Sequence, residues 1–128
     1  MEELELPVKN VDIIISEWMG YFLLYESMLD CVLDARDKYL APDGKMFPDR
    51  AQLFMASIED ESYKTQKKSF WHNVYGVDMR CLGNAAIKEP LVDTVGADMI
   101  NSSTTQILDL NLRTMKKEDV EFASEYSI

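Results

Sequence analysis

Histidine is almost missing from this chain. His72 stands alone, which leaves no material for a zinc site of the usual spacing. Cysteine is nearly as scarce: Cys31 and Cys81 form no spaced motif, which argues against a disulfide framework and for a reducing compartment. None of the five glycines (Gly20, Gly44, Gly76, Gly83, Gly96) stands in a G-x-G context. No apolar run approaches the ~20 residues of a membrane-spanning helix, and Met1 is followed by Glu2 and Glu3, so neither a membrane span nor a signal peptide is expected. Cations are outnumbered, 13 Lys and Arg against 23 Asp and Glu, for a net charge of −10. That balance argues against direct binding of a nucleic-acid backbone, which needs a basic stripe. It suits a basic ligand or peptide, although a solvated acidic surface is the more frequent reason for it.

What is present is the composition of a globular domain, 47% hydrophobic and 28% charged over 128 residues. Such a length buries ~65–70% of its unfolded surface. The chain is organised around one stretch. Val11-Asp-Ile-Ile-Ile15 is a β-branched run that reads as a strand buried on both faces inside a parallel sheet. It stops at Ser16. Glu17 and Glu26 follow, nine positions apart, with an almost uncharged aromatic and aliphatic segment between them. Ligands of open α/β sheets gather outside the carboxyl ends of the strands, where Glu17 would stand. Two carboxylates on an apolar loop are costly unless a cation pairs with them. A solvated cap for Glu17, and a favourable helix-dipole partner at the first turn for Glu26, are the bland readings.

Residues 26–40 carry the best helical pattern, with Met28, Leu29, Val32, Leu33, Tyr39 and Leu40 at spacings near three, four and seven. The pattern stops at Ala41-Pro-Asp-Gly44. Lys45-Met-Phe47 is the one further candidate for a parallel strand, closed by Pro48. Residues 51–59 read as a strand, and Asp60 is placed to cap a helix running to about Asn73. Tyr75-Gly-Val-Asp78 breaks that helix. A short helical piece over 85–89 precedes Pro90, and 91–95 is strand-like. Residues 106–113 put Leu108, Leu110 and Leu112 on one face of an antiparallel strand. A polar turn at 116–119 then leads to an alternating pattern of Val120, Phe122, Tyr126 and Ile128. The buried parallel strand wants neighbours on both sides, and only one follows it, so others are expected upstream of Met1. The pattern running to the last residue is likewise expected to continue.

The segment Ser16-Glu-Trp-Met-Gly-Tyr-Phe-Leu-Leu-Tyr-Glu-Ser-Met-Leu29 resembles the double-glutamate loop of the type I protein arginine N-methyltransferases and is very like that of their predominant member. The likeness continues through Leu40-Ala-Pro-Asp-Gly44, Phe47-Pro-Asp-Arg50, Ile58-Glu-Asp60, Asn73-Val-Tyr-Gly76 and Lys88-Glu-Pro-Leu-Val-Asp93. It implies an α/β fold. Residues 1–48 would be the C-terminal part of a Rossmann-like, S-adenosylmethionine-binding methyltransferase domain. Residues 49–128 would begin a β-barrel substrate domain with a helical dimerisation arm at about 61–95. The glycine-rich cofactor loop and a later threonine–histidine–tryptophan loop would lie outside this stretch, so the chain alone is expected to be an inactive fragment of a longer enzyme.

The resemblance also assigns roles. Glu17 and Glu26 match the catalytic pair that holds the substrate guanidinium. Glu2 matches a glutamate that contacts the cofactor's adenine, and Met28 a methionine near the reacting methyl group, though methionine at helical spacing is more often core filler. Trp18 and Tyr21 are read as pocket wall or ordinary packing. Tyr63, Phe70, Trp71 and Tyr75 become interface candidates for a homodimer. The implied substrates are arginines of histones and RNA-binding proteins, the implied location is nucleus and cytoplasm, and no metal is implied. The alternative is a truncated, non-catalytic chain, at most a dimerisation or arginine-peptide-binding module.

Overall fold

The computed structural model describes residues 4–128. The fold is mixed α/β and divides into two compact units. One comprises the described part of Met1–Met55 together with Thr104–Ser127; the other comprises Ala56–Ser103 with Ile128.

In the first unit, strand β1 (Val11–Ile15) pairs in parallel with β2 (Leu40–Phe47), placing Ile13 opposite Lys45, Ile14 opposite Met46 and Ile15 opposite Phe47. Helix α1 (Leu29–Tyr39) makes the crossover between them, as a parallel pair requires. Sequence and structure differ here in two respects. The helix starts at Leu29 rather than Glu26, because Ser27 adopts a left-handed φ of 54° that no helix can include. And β1 is not buried on both faces: Ile13 is 54% and Ile15 80% exposed, since among the described residues only β2 pairs with β1. The β2 strand begins at Leu40, directly after the helix, and takes in the expected Pro-Asp-Gly turn.

Strands β3 (Arg50–Met55) and β4 (Thr105–Asn111) form an antiparallel pair in the same unit. The leucine alternation is observed, with Leu110 and Leu112 buried and Leu108 half-buried. These leucines join Trp18, Leu29, Leu33, Met46 and Met115 in one core. Arg36 ties the helix to the end of β4: its Nη1 donates to the carbonyls of Leu112 (2.6 Å) and Met115 (2.8 Å). Beyond the short 3₁₀ turn Lys117–Val120 the expected final strand is absent. Phe122 and Tyr126 remain 40% and 51% exposed, and alternation without a ladder partner does not make a strand.

The second unit is built of short helical turns between two segments that pair at its base. Helix α2 (Glu61–Ser69) is capped as expected, the Asp60 carboxylate accepting from the Tyr63 N–H at 2.9 Å. The helix tightens into a 3₁₀ turn at Phe70–His72 and breaks at Tyr75 and Gly76, both at positive φ. Helix α3 (Gly83–Ala86) follows. The strand expected over 91–95 is not formed, because no neighbouring backbone pairs with it. The unit closes where Glu59 N–H donates to Met99 and Asn101 N–H to Ser57. No helix among the described residues is long and apolar enough to cross a membrane.

Candidate functional site

The β1 ladder runs one hydrogen bond past its end, from Ser16 N–H to the Phe47 carbonyl at 2.9 Å. The chain then enters the loop 16–28. Exposure alternates along its first residues: Ser16 half-buried, Glu17 exposed, Trp18 buried, Met19 exposed. Trp18 is 2% exposed and packs in the core beside Leu29 and Met46. Burial of so large a ring fixes the backbone on either side of it. Glu17 is thereby held outward at the carboxyl end of a parallel strand. Neither Ser16 Oγ nor Trp18 Nε1 finds a hydrogen-bond partner among the described residues.

Past Trp18 the loop folds on itself. Gly20 N–H donates to the Leu23 carbonyl at 3.1 Å, Tyr25 N–H to Tyr21 at 3.1 Å, and Ser27 N–H to Leu24 at 3.2 Å. Phe22, Leu23 and Ser27 all have left-handed φ (50°, 63° and 54°). Each such non-glycine residue costs about 1–3 kcal/mol and persists only when its surroundings impose it. The effect is to lay Glu26 over Gly20, so that a Cβ at position 20 would stand 3.0 Å from Glu26 Cγ. Gly20 lies three positions after Glu17, at most ~11 Å of chain. Both Glu17 and Glu26 are solvent-exposed on this loop.

Of the other sequence-predicted positions, Glu2 lies outside the described residues. Met28 is half-buried, forms the N-cap of α1 and packs against the Trp18 core. Tyr21 is 60% exposed. Glu26 lies two residues before the N-cap of α1 and not in its first turn, so the helix-dipole reading of it does not hold. Sequence reasoning does not single out Gly20, over which Glu26 lies. Its signal was available in the sequence, as the one glycine lying between the two glutamates. A cleft of ≈ 460 Å³ in the second unit, lined by Ile58, Tyr63, Ile87, Leu91, Val95 and Met99, contains none of the four predicted site residues.

Fold and loop define the class: a mixed α/β protein whose parallel strand β1 opens at its carboxyl end into a folded loop carrying two exposed glutamates. A family model described as the arginine methyltransferase oligomerization subdomain matches residues 49–128. Over 128 residues the chain is 60% identical to protein arginine N-methyltransferase 1 of Schizosaccharomyces pombe and 53% identical to that of Dictyostelium discoideum. All of this chain is covered, and it spans 38% of the length of each relative. Among solved structures it is similar to the Trypanosoma brucei PRMT1 enzyme–prozyme heterotetrameric complex with AdoHcy. The TM-score is 0.85 at 46% identity, covering 96% of this chain and 38% of that one. A protein arginine methyltransferase 10 of Arabidopsis thaliana is similar at TM-score 0.70 and 32% identity, covering 94% of this chain and 40% of that one. The chain belongs to the arginine methyltransferase family, and the resemblance carried by the glutamate loop is borne out at that level.

Proposed function

We propose that this chain supplies the substrate-gripping loop and the assembly region of an S-adenosylmethionine-dependent protein arginine N-methyltransferase acting on histones and RNA-binding proteins. The observation that carries the reading is the loop 16–28, which leaves Glu17 and Glu26 exposed around a buried Trp18 and lays Glu26 over Gly20. A guanidinium is planar, stays protonated and offers five donors in a fixed fork. One carboxylate can accept two of those donors and a second, set at an angle, can accept others. Held this way, the guanidinium has its charge drawn toward the pair and one terminal nitrogen left free to attack.

For the cofactor, the described residues offer one apolar contact, Met28. Met28 is half-buried beside the loop, and the loop stands at the carboxyl end of β1, where α/β sheets take their ligands. When bound, the cofactor supplies an electrophilic methyl group. The contribution of Glu17 and Glu26 is orientation and electrostatics. The Rossmann-like and barrel division near residue 48, the adenine contact by Glu2, the homodimer through an arm at about 61–95 and the nuclear and cytoplasmic location belong to the same proposal. They are supported by the family resemblance.

The test is methyl transfer from labelled cofactor to an arginine–glycine-rich peptide, with this chain beside a polypeptide extended at both ends to the length of its relatives. Activity confined to the extended form, and reduced about 100-fold or more by Glu17→Gln or Glu26→Gln, is the expected outcome. Silence of the extended form would sink the reading. A second reading, an assembly module without activity, is favoured by the exposed Phe70 (59%) and Tyr75 (102%). It predicts self-association of the chain with no methyl transfer in either form.

A further inference from the structure

We infer that Gly20 is a positioning residue for the proposed reaction: its missing side chain is the space in which Glu26 takes up its pose. The inference rests on the proposed function. A Cβ built on Gly20 meets Glu26 Cγ at 3.0 Å, Cβ at 3.2 Å and Cδ at 3.3 Å, and those are its three nearest neighbours. All are tighter than ordinary van der Waals contact, so an added methyl forces a displacement of a few tenths of an ångström. What yields is decided by stiffness. The backbone of Gly20 is held by its hydrogen bond to Leu23 and by Trp18, buried two residues earlier. The backbone around Glu26 is held by the Tyr25–Tyr21 and Ser27–Leu24 hydrogen bonds. The Glu26 side chain is exposed and is free to rotate outward. Rotation carries Cγ and Cδ away, while the Cβ contact at 3.2 Å is taken up by a backbone shift of a few tenths of an ångström.

Gly20 does not itself sit at a positive φ; among the glycines only Gly76 does. Backbone freedom is therefore not the reason for glycine here. The reason is the close approach of a side chain whose carboxylate is proposed to grip the substrate. A substitution at position 20 thus reaches the chemistry through Glu26 while leaving the fold nearly untouched, which separates it from a core mutation.

The experiment is a double-mutant cycle in the extended polypeptide, measuring methyl transfer to an arginine–glycine-rich peptide, cofactor affinity and Tm. Gly20→Ala should lower kcat/KM for the peptide about tenfold, since displacements of about 1 Å cost up to about 100-fold. Cofactor affinity should be unchanged, and Tm should stay within about 2 °C. Added to Glu26→Gln, the same change should cost less than about twofold, because the carboxylate it displaces is already gone. Equal losses in both backgrounds, or no loss in an otherwise active enzyme, would overturn the inference while leaving the function standing. If Gly20→Ala instead lowers Tm, adding Glu26→Ala should restore part of the loss by removing Cγ and Cδ; no restoration overturns the inference. Silence of the unsubstituted polypeptide removes the function, and this inference with it.

Discussion

The two units of this chain solve the problem of apolar surface in opposite ways. In the first, Trp18, Leu33, Met46 and Leu112 are at most 2% exposed and meet in one core. In the second, Ala86 is the one buried hydrophobic residue among those described, and α2 buries nothing. That unit turns Phe70, Tyr75, Val77, Leu91 and Val92 outward instead, each more than half exposed. Between the hydrogen bonds that join Ser57 and Glu59 to Asn101 and Met99, much of its order comes from short-range ones: the Asp60 cap, Asn73 Oδ1 accepting from Gly76 N–H at 2.7 Å, and the Val74–Val77 pair. A region with a core can impose strained conformations on a loop, and the loop 16–28 carries three non-glycine residues at positive φ against one, Tyr75, in the second unit. A region without one gains its stabilisation by covering its apolar surface with something else. The oligomerization description of the matching family model, which takes in residues 56–103, fits that difference.

The contrast is broken most directly by truncating one large side chain in each unit. Leu33→Ala leaves a cavity among Trp18, Met46 and Leu112, and should cost about 2–5 kcal/mol in denaturant unfolding. Phe70→Ala removes a ring that is 59% exposed and touches Trp71 edge-on, and should cost less than about 1 kcal/mol. Its larger effect should be on self-association, read by sedimentation at rising concentration. Comparable stability losses from the two changes would mean that the second unit has a core of its own.

The sequence made the first unit legible and the second only in part, for a physical reason. Where residues pack against one another, periodicity reports burial. The leucines of β4, the helical stripe of α1 and the parallel partner at Lys45–Phe47 all could be read that way. Where the apolar pattern has no neighbour, as at 91–95 and 120–128, alternation suggested strands that no ladder supports. The glutamate loop could be recognised as a motif, but its internal folding could not. Nothing in the residue types at Phe22, Leu23 and Ser27 announces positive φ, so periodicity places the helix start three residues early and does not single out Gly20.

A smaller effect sharpens the comparison at the Asp60 cap. With no buried residue in α2, this helix depends on its cap more than α1, whose N-cap residue Met28 makes no side-chain capping bond. Asp60→Ala should cost about 1 kcal/mol and lower helical content in the second unit, seen as faster amide exchange from Glu61 to about Lys64. Unchanged exchange there would mean that contacts other than the cap hold the helix.

The smallest effect is acid sensitivity, and it should also fall unequally. Asp109, in the first unit, is held well below the usual carboxylate range, first by the hydrogen bonds from Arg50 and then by those from Gln52 and Gln106. Asp78, in the second, is held at about 2, chiefly by side-chain hydrogen bonds from Arg80, helped by the Arg80 backbone N–H. Both folded-state values are depressed, so each contribution is present above the unfolded value of ~3.9 and fades as pH falls toward the folded one. Both pairs are solvent-exposed, which keeps the effects small. The Arg80 partner lies two residues from Asp78, so much of that pairing survives in the unfolded chain and cancels. The partners of Asp109 include Arg50 and Gln52 on the opposite strand, and those contacts exist only when β3 and β4 are paired. Melting measured between about pH 5 and pH 2 should therefore lose part of its pH dependence with Asp109→Asn and keep it with Asp78→Asn. Equal flattening by both would show that the two-residue pair forms only in the folded unit, and that the second unit is less local than its hydrogen bonds indicate.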